Sequence, residues 1–305
     1  MTELEVVHET RYAYSAPVSL AQHLACLQPL ADGWQRRLDF DLHIEPAPDF
    51  SEPGRDAYGN ERLAFCILRP HERLLVRAAS RLRIAPRFAA LDAAAAPPWD
   101  ELAQRLRYVA RAPFEPALEF AQPSPYVPRL AELRDYGRPS FKPGRPLAEA
   151  AIELMHRIHA DFKYEAASTA VDTPLAQVFE QRRGVCQDFA HLMAGVLRRF
   201  GLPARYVSGY LLTRAPEGGA AMLGADASHA WVQAWCPGTP GMPEDGWLDL
   251  DPTNDLIPGT GHVRVAVGRD YGDVTPLRGV IRGGGRHTLA VGVTTRLAGP
   301  VVASA

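Results

Sequence analysis

Residues 184–209 constrain this chain more than any other stretch. Phe189, Leu192, Met193, Val196, Leu197 and Phe200 recur at steps of three and four, the apolar stripe of an amphipathic helix. Gly201 and Pro203 end it, because glycine accepts a left-handed cap and proline cannot continue the hydrogen-bond ladder. Gly184 opens it, which places Cys186 at or near the first turn, in line with the buried stripe. The positive end of the helix dipole and the unpaired N–H groups there favour thiolate. Against this stands the usual fate of a free cysteine, a small buried hydrophobe. The thiol alone does not define a chemistry.

Two later segments supply what the thiol lacks. Residues 228–235 read as a strand, and its alternation puts His229, Trp231, Gln233 and Trp235 on one side. Residues 246–253 read as a second strand, ended by Pro252, with Trp247, Asp249 and Asp251 on one face. A histidine and a carboxylate on neighbouring strands, facing a helix that starts with cysteine, assemble nucleophile, base and orienting group. Spacing alone leaves Asp249 and Asp251 equal as the third member.

The four segments concerned are Gly-Val-Cys-Gln-Asp-Phe-Ala (184–190), Gly-Leu-Pro-Ala-Arg-Tyr-Val-Ser-Gly-Tyr (201–210), His-Ala-Trp-Val-Gln-Ala-Trp (229–235) and Gly-Trp-Leu-Asp-Leu-Asp-Pro-Thr (246–253). In order and spacing they resemble the bacterial transglutaminase-like family. The resemblance implies Cys186 as nucleophile, His229 as base and Asp251, the Asp before Pro-Thr, as third member. It implies an α+β fold with a papain-like core: a helical part carrying the cysteine, packed on an antiparallel sheet carrying His and Asp. The segment Asp-Ala-Tyr-Gly-Asn (56–60) is similar to the β-rich domain that precedes this core in one bacterial subgroup, and Val-Gly-Arg-Asp-Tyr (267–271) is similar to that subgroup as well.

The chain divides into three on this reading. Residues 1–86 form a β-rich domain, with strands at 4–14, 37–45, 61–69 and 74–84 and turns at Pro53-Gly54 and 58–60. Turn chemistry accounts for Asp56 and Asn60. Residues 87–145 are an Ala/Pro-rich linker, a short helix after Pro98 and a proline-rich segment that wraps a domain surface. Residues 146–305 form the core with C-terminal strands at 262–267 and 287–296. Its first helix follows Pro146, with Leu147, Ala151, Leu154, Met155, Ile158 and Phe162 as its stripe. His156 and His159 on it have a spacing a metal can use, but no further ligand motif accompanies them, and packing explains them better. Arg182 and Arg183 precede the cysteine helix and are candidates for positive potential beside the thiol. The Gly/Ala-rich loop 214–228 delivers the chain to His229 and has the character of a lid. Gly283-Gly284-Gly285 is a tight turn, since it lacks the ending of a phosphate-binding loop.

At 305 residues, 47% hydrophobic and 22% charged, the chain is expected to bury a sizeable core. A formal net charge of −2 gives no electrostatic reason for nucleic acid or an anionic membrane as partner. No apolar run approaches a bilayer span, and residues 1–8 have no signal-peptide character. Four cysteines without a CxxC pair point to reduced thiols and a cytoplasmic setting. Cys26, Cys66 and Cys236 are expected to be buried small residues.

The chemistry expected is acyl transfer through a thioester on a peptide or protein substrate, with no cofactor and no metal. Hydrolysis, as a cysteine peptidase or amidase, is favoured over amine transfer, because no D-x-D-x-D-G calcium loop is present. A silent peptide-binding module is the reading outside enzymology. The oxyanion donors expected are the backbone N–H of Cys186, with Gln187 and Tyr164 as candidates for a second. The Trp that many transglutaminases place upstream of the cysteine is missing, since no Trp lies between Trp99 and Trp231.

Overall fold

The computed structural model describes residues 1–111, 113–212 and 228–298. Five strands come first: β1 (Thr2–Ala25), β2 (Gln35–Glu45), β3 (Phe50–Arg55), β4 (Glu61–Ile67) and β5 (His71–Ile84). Their order in the sheet is β2-β5-β1-β4-β3. β1 runs 24 residues, well past the strand expected at 4–14. It can do so because its pairing with β5 breaks between Ala13 and Val18, and Pro17 sits in that irregularity, where no ladder N–H is required. β3 contains Pro53-Gly54, read from the sequence as a turn. It pairs only with β4, so it is an edge strand, and an edge tolerates proline.

The helical part follows: α1 (Trp99–Arg105), a 3-10 turn (Pro116–Ala121), α2 (Ala131–Gly137), α3 (Leu147–Asp161), the two-residue strand β6 (Lys163–Tyr164), α4 (Leu175–Gln181), β7 (Arg183–Gly184) and α5 (Cys186–Arg199). α5 is buried along almost its whole length. A Cβ at Gly195 would meet Leu133 Cδ1 at 2.7 Å, so this glycine lets α2 lie close on α5. The second sheet is β8 (Ala204–Leu211), β9 (His229–Trp235), β10 (Trp247–Leu250) and β11 (His262–Gly268), in the order β10-β9-β8-β11 and antiparallel throughout. α5 packs on its face through Phe189, Leu192, Met193 and Val196, which join Ala230, Val232 and Tyr206 in one core.

A short helix α6 (Tyr271–Val274) leads to β12 (Leu277–Gly283) and β13 (His287–Leu297). Both C-terminal strands, grouped with the core by the sequence, pair with β1 of the first sheet. β12 was not anticipated. The chain thus returns to the sheet from which it started. The two parts also share a core: Leu4, Val6, Leu82 and Ile84 of the first sheet lie in the same cluster as Val263, Val265 and Leu192. Residues 87–98, expected as a linker, dock against the second part. Arg87 is 6% exposed, Phe88, Leu91 and Ala93 pack on the core, and Gly241 approaches so near that a Cβ there would meet the Ala90 carbonyl at 1.8 Å.

Candidate active site

Cys186 is the first residue of α5. Asp188, two residues on, is buried, and its Oδ2 accepts hydrogen bonds from the Val185 N–H (2.8 Å) and the Thr169 hydroxyl (2.6 Å). It therefore ties down the helix start, as its place in the first turn requires. Burial pushes the Asp188 carboxyl up, and these two donors work against that shift. β6 runs parallel to β7 with Tyr164 paired to Gly184, which sets Tyr164 beside the entrance to α5. Burial raises the Tyr164 hydroxyl, and the Cys186 charge raises it further.

His229 opens β9, and Cys186 Sγ lies 4.0 Å from the carbonyl oxygen of Ser228, the residue before it. His229 is 1% exposed, and its Nε2–H donates to Asp251 Oδ2 at 2.9 Å. Among the described residues its Nδ1, which is buried, has no partner within ordinary hydrogen-bond geometry. The nitrogen facing the carboxylate is therefore Nε2, not the Nδ1 that an Asp-His pair in the serine-protease arrangement uses. Burial alone would push the imidazolium down. The Asp251 charge and hydrogen bond, with the Cys186 thiol, outweigh it and hold the ring protonated well above the ordinary histidine range. Burial likewise pushes Asp251 up, but the His229 charge, with bonds from His229 and His262, holds it well below the usual carboxylate range.

Register explains why Asp251 meets His229 and Asp249 does not. β10 pairs with β9 so that Trp247 faces Trp235 and Asp249 faces Gln233. Continued by one more step, Asp251 falls diagonal to His229 on the same face, while Asp249 falls diagonal to Trp231. Asp249 Oδ1 accepts from Trp231 Nε1 at 3.0 Å and Oδ2 faces Arg87 at 3.4 Å. Trp231 stacks behind His229, ring centroids 6.0 Å apart at 29°. Gly209 on β8 makes room for it, since a Cβ there would meet the Trp231 ring at 2.4 Å.

The remaining expected residues are accounted for differently. Gln187 Nε2 donates to the Val171 carbonyl at 2.9 Å and is committed to that loop. Arg182 does not stand as a free charge: its guanidinium lies over the rings of Tyr136, Phe162 and Phe179 at 5.2, 4.7 and 4.4 Å. Arg183 pairs with Glu165 at 3.7 Å. His156 and His159 on α3 hold the turn after Asp251, through Asp255 (2.5 Å) and the Thr253 carbonyl (3.1 Å). The expected lid, 214–228, falls outside the described residues except for Ser228.

Two residues near the site were not anticipated. His262 Nε2–H donates to Asp251 Oδ2 at 3.2 Å, and Asn254 Nδ2 donates to the same oxygen at 2.9 Å. Asn254 follows the Asp-Pro-Thr motif directly, a signal available in the sequence. His262 lies eleven residues on, across a loop, and no local pattern marks it. Among the described residues, His229, Asp251 and His262 also form a group with metal-ligand chemistry, their ligand atoms all within 4.8 Å of one another. Hydrogen bonds to Asp251 already use both imidazole Nε2 atoms, so the group is satisfied without an ion.

A thiol at a helix N-terminus, beside an imidazole held by a buried carboxylate, defines the class: a papain-like α+β protein built for cysteine chemistry. Comparison with known proteins narrows it. Residues 4–83 match the bacterial transglutaminase-like N-terminal region and residues 135–252 the transglutaminase-like superfamily. The chain is 40% identical over 278 residues to an uncharacterised protein of Mycobacterium tuberculosis, covering 90% of this chain and 86% of that one. It is 33% identical over 305 residues to an uncharacterised protein of Mycobacterium leprae, covering 98% and 100%. A protein-glutamine gamma-glutamyltransferase of Pseudomonas aeruginosa matches at 35% over 134 residues, 43% of this chain and 19% of that protein. The crystal structure of a candidate cysteine protease from Cytophaga hutchinsonii superposes with a TM-score of 0.71 at 20% identity, over 97% of this chain and 90% of that one, which shows the shared fold. The chain belongs to the transglutaminase-like superfamily, a family of thiol enzymes, and carries that family's bacterial N-terminal region.

Proposed function

We propose that the protein is a thiol hydrolase of peptide or other amide bonds, a cysteine peptidase or amidase, working through Cys186, His229 and Asp251. The observation that carries this reading is the His229 ring, bound through Nε2 to a buried Asp251 while the Cys186 thiol at the start of α5 acts on the same ring. In this arrangement the Cys186 proton rests on Nδ1, giving a thiolate–imidazolium pair, and the thiolate attacks the amide carbon. The tetrahedral intermediate collapses as His229 returns the proton to the leaving amine, which departs and leaves a thioester. His229 then takes a proton from water, the hydroxide attacks the thioester, and carboxylic acid and free thiol result. Asp251 holds the tautomer and balances the imidazolium charge. The Cys186 N–H at the start of α5 is one oxyanion donor, and the Tyr164 hydroxyl, on the strand beside it, is the second.

The second reading is amine transfer, in which an amine replaces water at the thioester. The partial match to the Pseudomonas aeruginosa enzyme favours it. A silent binding module is disfavoured by the three groups being present together, with an imidazole held in the charged form that pairs with a thiolate. Four free thiols in the described chain agree with a reducing, cytoplasmic setting, which stays part of this proposal. A peptide-library screen read by mass spectrometry, with and without added amine, decides between the readings. Cleaved or deamidated products lost in Cys186→Ala support hydrolysis, amine-mass adducts support transfer, and turnover by folded Cys186→Ala refutes both.

A further inference from the structure

β11 is the outer strand of the second sheet and begins with His262, which is 5% exposed. The His262 ring is fixed twice, edge-on to Trp231 (5.3 Å, 87°) and through Nε2–H to Asp251. Asp251 thereby receives five hydrogen bonds. Oδ2 accepts from His229, His262 and Asn254, and Oδ1 accepts from the backbone N–H of Thr253 (3.0 Å) and Asn254 (3.2 Å). The outer edge of β11 is met by the Leu30 N–H, which donates to the Arg264 carbonyl at 3.1 Å, and by two side-chain amides, one at the start of β2 and one in the turn before β4. Gln35, 1% exposed, accepts from the Arg264 N–H at 2.8 Å and donates to the Arg264 carbonyl at 2.7 Å. Asn60 does the same at Val267, at 2.8 and 2.7 Å. Each amide stands where a further strand would pair. Turn chemistry is thus only half of what Asn60 does.

We propose that His262 is a positioning residue of the active site, standing behind Asp251 as His229 stands before it, and that the N-terminal sheet serves the site by holding β11, through Gln35, in the register that brings His262 onto Asp251. This rests on the thiol reading above. A buried carboxylate is costly unless its lone pairs are filled, and a carboxylate short of one donor is free to turn away from His229 Nε2. The charged groups facing this pair are few. His229 and Asn254 face Asp251; Asp249, Arg87 and Arg264 line the small cavity beside His262. Asp249 is paired with Arg87, and Arg264 with Asp32 at 2.6 Å. Around the thiol stand His229, Tyr164, Tyr206 and the bonded Asp188.

The test is iodoacetamide alkylation of the full-length protein, followed at Cys186 by peptide mass, as the ratio of the rate at pH 6 to that at pH 9.5. His262→Phe should lower the ratio about tenfold, the low end of what a hydrogen bond to a charged group is worth. His262→Gln, whose Nε2 lies the same number of bonds from Cα, should restore it, and Gln35→Leu should shift it in the same direction as His262→Phe by less. If His262→Phe does not fold, His262→Asn, polar but too short to reach Asp251, carries the test with the same expected loss. A folded variant without the His262 donor that keeps the wild-type ratio would overturn the proposal, as would His262→Gln behaving like the Phe variant. A wild-type ratio no higher than that of a simple thiol would instead overturn the reading of the site itself.

Discussion

Asp251→Asn replaces one oxygen with an NH2 group inside a shell of donors. Turned one way, the amide sets its NH2 against the backbone N–H of Thr253 and Asn254; turned the other way, against His229, His262 and Asn254 Nδ2. Backbone N–H groups cannot change tautomer, so the NH2 group takes the second place. His229 can then accept at Nε2 only as a neutral ring with its one proton on Nδ1, so the thiolate–imidazolium pair is lost. Loss of the correct tautomer should lower the rate of thiol acylation by about 10⁴-fold. The buried imidazolium also loses its counter-charge, which should cost about 3–5 kcal/mol of stability. Asp249→Asn has no such conflict. An amide oxygen can still accept from Trp231 Nε1, and Arg87 keeps Asp245 at 2.6 and 2.7 Å. Its rate should stay within about tenfold of wild type. The assay is acylation by a nitrophenyl ester, with near-UV circular dichroism to certify the fold. If folded Asp251→Asn retains wild-type acylation, or if Asp249→Asn proves the more damaging, the triad is wrongly drawn.

Three further outcomes follow from the structure. Tyr164→Phe should reduce acylation by about 10²–10³-fold if its hydroxyl is the second oxyanion donor; an unchanged rate removes it from the mechanism. Limited proteolysis should spare residues 87–98, because they are packed on the core; rapid cutting there would mean that the two parts separate in solution. His8, buried and bonded to Tyr210 across the contact between the two sheets, is held down to about 4 by burial. Its folded value lies below its unfolded value of 6.5, so the unfolded chain takes up the proton first, and stability is lost as pH falls from 6.5 toward 4. Chemical denaturation at pH 5 and pH 7 should show His8→Gln to be less acid-sensitive than wild type, and equal sensitivity would refute the assignment.

Much of the site is legible in the sequence, because its signals are local. The 3.6-residue period of 189–200 places Cys186 at a helix start, and two alternating strands place His229 and Asp251 on one side of a sheet. What stays hidden is set by partners distant in sequence. His262 acts at Asp251 only because β11 borders β8, and no pattern around residue 262 announces that. Phe50–Arg55 reads as a turn because proline and glycine dominate its local signal, while the edge position that tolerates them is a tertiary fact. Arg182 looks like a charge available to the thiol until three aromatic rings from α2, α4 and the end of α3 close over it. Residues 87–98 have the composition of a linker, yet Arg87 finds two carboxylates more than 150 residues away.

The central claim is that Cys186 carries the acyl group. Intact-protein and peptide mass spectrometry after a brief exposure to a nitrophenyl ester, quenched in acid, measures this directly. The account predicts one acyl group on Cys186, removed by hydroxylamine as a thioester should be, lost in Cys186→Ala and strongly reduced in Asp251→Asn. An adduct on Cys66 or another residue instead, or equal labelling of the Cys186→Ala protein, would contradict it.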